Sequence, residues 1–165
     1  FIWIPSLLVA QGFDLVRSFQ FTLIITLAQL PGYAVAAWLI EVIGRRATLA
    51  IFLAGSAIAA GCYGVASTDV AIIAAGCALS FANLGAWGAL YAIGPELYPT
   101  TVRGTGTGAA AGFGRIASII APLIVTPLVA LGGTPLLFGV FATSFALAAA
   151  AALALLPEQR GKPLA

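Results

Sequence analysis

The sequence has 165 residues, of which 62% are hydrophobic and only 7% are charged, and its mean hydropathy is +1.11. A water-soluble domain of this size needs many more charged residues to cover its surface, so the composition indicates an integral membrane protein. The formal net charge is +2, and the few basic residues do not form a stripe, which argues against nucleic-acid binding.

Hydropathy and helix-breaking residues divide the chain into six apolar segments. They cover residues 1–13, 19–43, 47–66, 70–93, 104–131 and 135–156. The first is about seven residues shorter than a membrane span, so we expect a truncated helix in a fragment whose start is missing. Segments of this length joined by short loops predict an all-α antiparallel bundle over residues 1–156, followed by a polar tail at 157–165.

Lys and Arg are unequally divided between the two sides of the predicted bundle. One side carries Arg17 alone. The other side carries five basic residues, which are Arg45, Arg46, Arg103, Arg160 and Lys162. Because basic loops stay on the cytoplasmic side, we expect the second group and the carboxyl terminus in the cytoplasm of a multi-pass inner or plasma membrane protein.

Polar side chains form one stripe on each of two segments. The stripe of the second segment consists of Thr22, Thr26, Gln29 and Tyr33, and that of the fourth consists of Ser80, Asn83, Trp87 and Tyr91. Spacings of three and four place each set on a single helical face. With Gln11 in the first segment and an arginine in the fifth, this predicts four segments around a polar centre, with the third and sixth facing lipid. Alternatively, Gln29 and Asn83 only hydrogen-bond neighbouring helices.

Arg115 is the most unusual residue of the apolar segments. It follows Arg103 by about 18 Å along a helix, and a bilayer core is about 30 Å thick, so it falls near mid-membrane. A guanidinium at this depth must face water or be paired, and it can bind a carboxylate through two parallel hydrogen bonds. We expect a substrate carboxylate site. The alternative is a structural pair with a residue outside this chain or with an interhelical carbonyl.

Enzymatic features are not evident in the sequence. Cys62 and Cys77 lie inside apolar segments and are interpreted as small hydrophobic residues. We find no nucleophile with a base, no metal-ligand cluster and no cofactor loop, because the glycines at 104–108 follow a helix end rather than a strand. The sequence therefore predicts neither an enzyme nor a cofactor or metal site.

Three motifs carry a resemblance to a known family. They are Glu41-Val-Ile-Gly-Arg-Arg46, Pro95-Glu-Leu-Tyr-Pro99 with Val102-Arg-Gly-Thr-Gly106, and the tail at 157–164. The chain resembles the carboxy-terminal half of a major facilitator superfamily transporter, from the seventh to the twelfth helix, and is most similar to sugar-porter-like metabolite:proton symporters of the niacin-permease type. The segment around Arg115 also resembles the eleventh helix of organic anion transporters, where an arginine is implicated in anion recognition.

The resemblance implies a six-helix half of a twelve-helix bundle, with the amino-terminal half as its partner. It also implies a gate on the cytoplasmic side, where ion pairs latch the two halves in outward-open states. By position, the gate residues are Glu41, Gly44, Arg45, Arg46, Glu96 and Arg103. Alternatively, the arginines only anchor the helices to anionic lipid and set the topology.

The expected function is secondary transport of a small organic metabolite by alternating access, with a carboxylate such as nicotinate or an aromatic acid as substrate. The expected substrate-binding residues are Arg115, Asn83, Trp87, Tyr91, Gln29, Thr26, Tyr33 and Gln11. Protons are the coupling ion that the resemblance implies, although every carboxylate here lies near a segment end, so the coupling group is expected in the amino-terminal half, or the protein is a uniporter or exchanger. A carrier of sugars or other neutral or cationic metabolites and a non-transporting receptor are the alternatives.

Overall fold

The computed structural model describes residues 4–156, apart from residues 11 and 13. The regular structure of this part of the chain is entirely helical, as the sequence predicts. Its helices are α1 (Ile4–Ala10), α2 (Leu15–Leu27), α3 (Gln29–Ile43), α4 (Arg45–Val65), α5 (Asp69–Glu96) and α6 (Arg103–Leu155).

Four stretches of the described residues are long and apolar enough to cross a membrane. They are Leu15–Ile43, α4, α5 and α6. An unbroken helix of the 53 residues of α6 would extend about 80 Å, more than twice the thickness of a bilayer core. The helix is broken at Gly133, where φ is 66° and ψ is −163°. We call residues 103–132 α6a and residues 134–155 α6b, so that five crossings follow α1.

The second apolar segment differs from the sequence-based expectation. It was expected to form one helix; the structure keeps Leu15–Ile43 as one candidate span but divides it into α2 and α3 at Ala28. The physical reason is Pro31, which has no N–H to donate to the carbonyl of Leu27 and so favours a helix break within the preceding turn. Pro95 does not end α5, which continues to Glu96.

A single glycine connects α3 to α4. Gly44 adopts φ 94° and ψ 166°, a combination that is essentially restricted to glycine. Its carbonyl accepts hydrogen bonds from the backbone N–H and the hydroxyl of Thr48, at 3.2 and 2.7 Å. The turn is therefore tight enough for Arg45 to begin α4 directly.

We expect Gly44→Ala to destabilise the protein by about 1–3 kcal/mol, because an alanine cannot adopt this backbone conformation without strain. The measurement is thermal unfolding in detergent. Gly61→Ala is the matched control, since Gly61 lies inside α4 with open space around it. An equal melting temperature for Gly44→Ala and the wild type would contradict the prediction.

The core is centred on α4, which packs against α5 and α6. Half of the most apolar part of α4 is buried, against less than a quarter in Leu15–Ile43 and in α6. Two clusters of buried residues form this core. One includes Tyr63 and Phe138, whose ring centroids are 4.5 Å apart, and the other includes Phe52, whose ring covers Gly85. The third segment was expected to face lipid, but as α4 it is the most buried of these helices, because it packs against both α5 and α6. Leu15–Ile43 and α6a, which were expected to line a polar centre, are mostly exposed.

The α2–α3 pair runs parallel to α5 along a series of close contacts. A methyl group at Gly76 would lie 2.5 Å from the Ile25 side chain, and one at Gly32 would lie 2.5 Å from the Phe81 carbonyl oxygen. Glycine lets the backbone of α5 approach a side chain at Gly76 and lets the backbones of α3 and α5 approach each other at Gly32. This seam holds the polar stripe of α3 next to that of α5.

Candidate functional site

An apolar groove of about 500 Å³ lies between α4, α5 and α6b. Its lining residues are Leu49, Leu53, Asn83, Ala86, Trp87, Leu90, Phe145, Ala148, Ala151, Ala152, Leu155 and Leu156. Two of the expected substrate-binding residues, Asn83 and Trp87, are in this set. Asn83 supplies the one side-chain amide of the lining and lies near the middle of the 28-residue α5. The groove can therefore take a largely apolar guest that needs one polar contact.

Aromatic side chains continue from the groove along the exposed side of α5. The ring centroids of Trp87 and Tyr91 are 5.3 Å apart, with 33° between the ring planes. The side chain of Trp87 is 44% exposed and that of Tyr91 is 65% exposed. Half-exposed aromatic rings of this kind can stack on a flat substrate.

The polar stripe of α5 also contains a buried hydroxyl. Ser80 is completely buried, and its Oγ has no hydrogen-bond partner among the described residues. It precedes Asn83 by three residues and so shares its helical face. A buried hydroxyl without a partner is costly, which makes this position a candidate for a bound polar group.

The stripe of the second segment is distributed over α2 and α3. The hydroxyl of Thr22 donates to the Ser18 carbonyl within α2, at 2.8 Å. Thr26 is exposed, and Gln29 is half-buried directly after the break at Ala28. Tyr33 lies over α5 at Gly88. Gln11, another expected substrate-binding residue, is outside the described residues.

Arg115 lies on α6a, where every residue from 108 to 120 is exposed. A glycine row shares this helix, and there is open space around Gly104, Gly108 and Gly112. In the part of the chain that the structure describes, this small-residue surface faces no neighbouring helix. The role of Arg115 as a substrate-binding residue stays a prediction.

The expected gate residues meet at one end of the bundle. Arg45, the first residue of α4, forms an ion pair with Glu96, the last residue of α5, with 2.6 Å between Nε and Oε2. The two side chains are 31% and 15% exposed. This pair joins two helices within the same half, and both partners keep some access to a further charge.

The other gate residues lie around this pair. Arg46 donates a hydrogen bond to the carbonyl of Leu153 and so connects α4 to the end of α6b. The Nε of Arg103 donates to the Tyr98 carbonyl at 3.4 Å, within the connection between α5 and α6. Glu41 is exposed near the end of α3. The structure thus gathers charged groups from four helices at this end, whereas their gating role stays a prediction.

A second ion pair, which the sequence analysis missed, lies at the opposite end. The Nη2 of Arg17 is 2.6 Å from Oδ2 of Asp69, and the Arg17 guanidinium lies 5.6 Å from the centroid of the Phe21 ring. Both residues border apolar segments on the same side of the predicted bundle. The opposite charges at these two segment ends could have indicated the pair.

We expect Asp69→Asn to lower stability by no more than about 1 kcal/mol, because both partners are about half exposed and such pairs are screened by water. Thermal unfolding in detergent at low and high salt measures the effect. If the pair causes the effect, adding Arg17→Gln to Asp69→Asn should not lower stability further. A further loss of stability in the double variant would contradict the prediction.

The chain is similar to known transport proteins over nearly its whole length. The family model of the Major Facilitator Superfamily matches residues 2–165. The chain is 50% identical over 166 residues to the "Niacin transporter NiaP" of Acinetobacter baylyi, covering 99% of this chain and 38% of the relative. It is 47% identical over 154 residues to the "Putative niacin/nicotinamide transporter NiaP" of Bacillus subtilis, covering 93% of this chain and 38% of that protein.

A more distant relative is the "Gallate transporter" of Pseudomonas putida, which is 32% identical over 93% of this chain. The chain spans between a third and two fifths of the length of these three relatives. The family match covers nearly every residue, and the apolar helices are those of an integral membrane protein. The chain therefore belongs to the Major Facilitator Superfamily, as the motifs at 41–46 and 95–106 indicated.

Proposed function

We propose that the protein containing this chain is a secondary transporter of a small aromatic carboxylate, with nicotinate as the first candidate, and not an enzyme. The observation that carries the proposal is the identity of 50% over nearly the whole chain to a protein named as a niacin transporter. The groove with Asn83 and the Trp87–Tyr91 pair supports it, because it offers an apolar surface, two stacking rings and one amide.

The distribution of exposed surface supports transport by alternating access between two halves. Residues 108–120 of α6a and the aromatic side of α5 are exposed in this half. An amino-terminal six-helix half that covered these faces would enclose Arg115, Tyr91 and Trp87 in a cavity between the halves, where such transporters bind their substrates. The substrate carboxylate would bind Arg115 and its ring would stack on the aromatic residues.

The charged end of the bundle is proposed to be the cytoplasmic gate. It contains the Arg45–Glu96 pair and Arg46, and the basic loops on this side favour a cytoplasmic location, together with the carboxyl terminus. Because both partners keep some access to a further charge, such a pair can bias the equilibrium between two rigid-body arrangements if the amino-terminal half supplies that charge in only one of them. Proton coupling is part of the proposal, with the titrating carboxylate in the amino-terminal half.

Uptake of labelled nicotinate by cells expressing the full-length gene tests the proposal. We expect uptake above that of empty-vector cells, inhibition by benzoate and gallate but not by glucose, and loss of accumulation with a protonophore. Uptake that a protonophore leaves unchanged would instead indicate a uniporter or exchanger. Saturable nicotinate binding without any uptake would favour a receptor, and competition by glucose would favour a sugar carrier.

A further inference from the structure

One glycine on α5 differs from the other close-packed glycines of the bundle. A methyl group at Gly88 would lie 3.3 Å from Cδ1 and 3.7 Å from Cε1 of Tyr33, and 3.7 Å from Cβ of Ala36. The Tyr33 ring therefore lies against the bare backbone of α5 at this point. An added methyl group would displace the ring by a few tenths of an ångström.

The surroundings of Tyr33 show that this contact is not part of the buried core. Gly76 and Gly85 face Ile25 and Phe52, both of which are buried. Tyr33, by contrast, is 47% exposed. Packing of α3 on α5 is already provided by Gly32 against Phe81. The contact of the Tyr33 ring with Gly88 therefore lies at the surface, and it is not needed to pack α3 against α5.

The Tyr33 ring lies next to the surface of α5 that carries the Trp87–Tyr91 pair. Tyr91 follows Gly88 by three residues, so the two positions are neighbours on the helical surface, and Trp87 lies one turn before Tyr91. Tyr33 therefore reaches α5 from α3 at the edge of the surface that carries the Trp87–Tyr91 pair. The three rings border one exposed area from two helices.

We propose that Tyr33, held in place by the absence of a side chain at Gly88, determines ring size in the substrate site, so that the site accepts one flat aromatic ring and rejects two fused rings. The inference rests on the proposed function and deepens it. Tyr33 acts as the wall of the ring site, and Gly88 is a positioning residue that sets where this wall stands. The two positions have opposite effects on width: a methyl group at Gly88 narrows the site, and removal of the Tyr33 ring widens it.

The test is a double-mutant cycle of Gly88→Ala and Tyr33→Ala in the full-length protein, with uptake of nicotinate and its inhibition by 2-naphthoate as readouts. We expect Gly88→Ala to raise the KM for nicotinate about threefold to tenfold, the range implied by the energy of one aromatic contact, with maximal uptake within about twofold of the wild type. Tyr33→Ala should make 2-naphthoate a better inhibitor relative to nicotinate, whereas Tyr33→Phe, which keeps the ring, should keep the wild-type ratio of inhibition by the two carboxylates. Gly61→Ala, which meets open space, is the control for adding a methyl group to a helix.

The decisive result is the behaviour of the double variant. If Tyr33 acts through its contact with Gly88, then Gly88→Ala has no further effect on KM once Tyr33 is alanine. An equal increase in KM with and without the Tyr33 ring, or a loss of maximal uptake at unchanged KM, would overturn the inference while leaving the proposed function intact. Absence of aromatic carboxylate uptake in the wild type would overturn both.

Discussion

Arg115→Ala is expected to raise the Kd for nicotinate by roughly 10- to 100-fold, because a hydrogen-bonded charge pair contributes about 1.5–3 kcal/mol and more than one donor is lost. Arg115 follows Arg103 by twelve residues on the exposed part of α6a, and in the proposed site the substrate carboxylate would lose a charged partner for which water in the cavity substitutes only in part. Binding of labelled nicotinate to the purified full-length protein measures the change.

One further variant and one further ligand separate the contribution of the planar guanidinium from that of the positive charge. Arg115→Lys keeps the positive charge but loses the planar pair of donors, so we expect an intermediate loss of affinity. Nicotinamide, which lacks the carboxylate, should lose little affinity in either variant. An unchanged Kd for nicotinate in Arg115→Ala would remove Arg115 from the substrate site and favour a structural role on α6a.

Glu96→Gln is expected to shift the protein toward the inward-open state and to reduce uptake about fivefold or more, without abolishing nicotinate binding. The Arg45–Glu96 pair is mostly but not fully buried, so its loss is expected to change the balance of states by about 1–3 kcal/mol, between the values typical of exposed and buried pairs. Uptake at matched surface expression is the measurement.

The charge-swapped variant is the control for this prediction. Arg45→Glu combined with Glu96→Arg restores an ion pair between α4 and α5 and should recover part of the uptake that each single substitution loses. Recovery of uptake in the charge-swapped variant would show that uptake depends on the ion pair and not on which position carries which charge. Unchanged uptake by a well-expressed Glu96→Gln variant would show that these residues only anchor the helices and set their topology.

Charged and aromatic residues at fixed spacings were the most predictable features of this half. Arg45 and Glu96 both border apolar segments on the same side, so the alternation of the spans brings them to one end of the bundle. In the structure, Nε of Arg45 is 2.6 Å from Oε2 of Glu96. Trp87 and Tyr91 are four residues apart on one helix, and their rings meet. These relations follow from helix geometry and topology alone.

Contacts between helices could not be predicted in the same way. Lipid and protein interior are both apolar, so hydropathy does not tell which face of a membrane helix meets another helix. The burial of α4, the contact of Tyr33 with Gly88 and the hydrogen bond from Arg46 to Leu153 depend on how each helix is rotated and how far it is shifted along its neighbour. The break at Ala28 depends on Pro31, whose effect is local and could have been given more weight.

Thiol modification in the presence and absence of nicotinate tests most directly whether the Arg115 face of α6a lines a water-filled substrate cavity. Ala111 precedes Arg115 by one turn on this face and is exposed, so Ala111→Cys is made the only cysteine of the full-length protein. A second version that keeps only Cys62, which is exposed on α4, serves as the comparison. We predict that a charged thiol reagent modifies position 111 but not Cys62, and that nicotinate protects position 111. Modification of position 111 only by a lipid-soluble reagent, with no protection by nicotinate, would contradict the account.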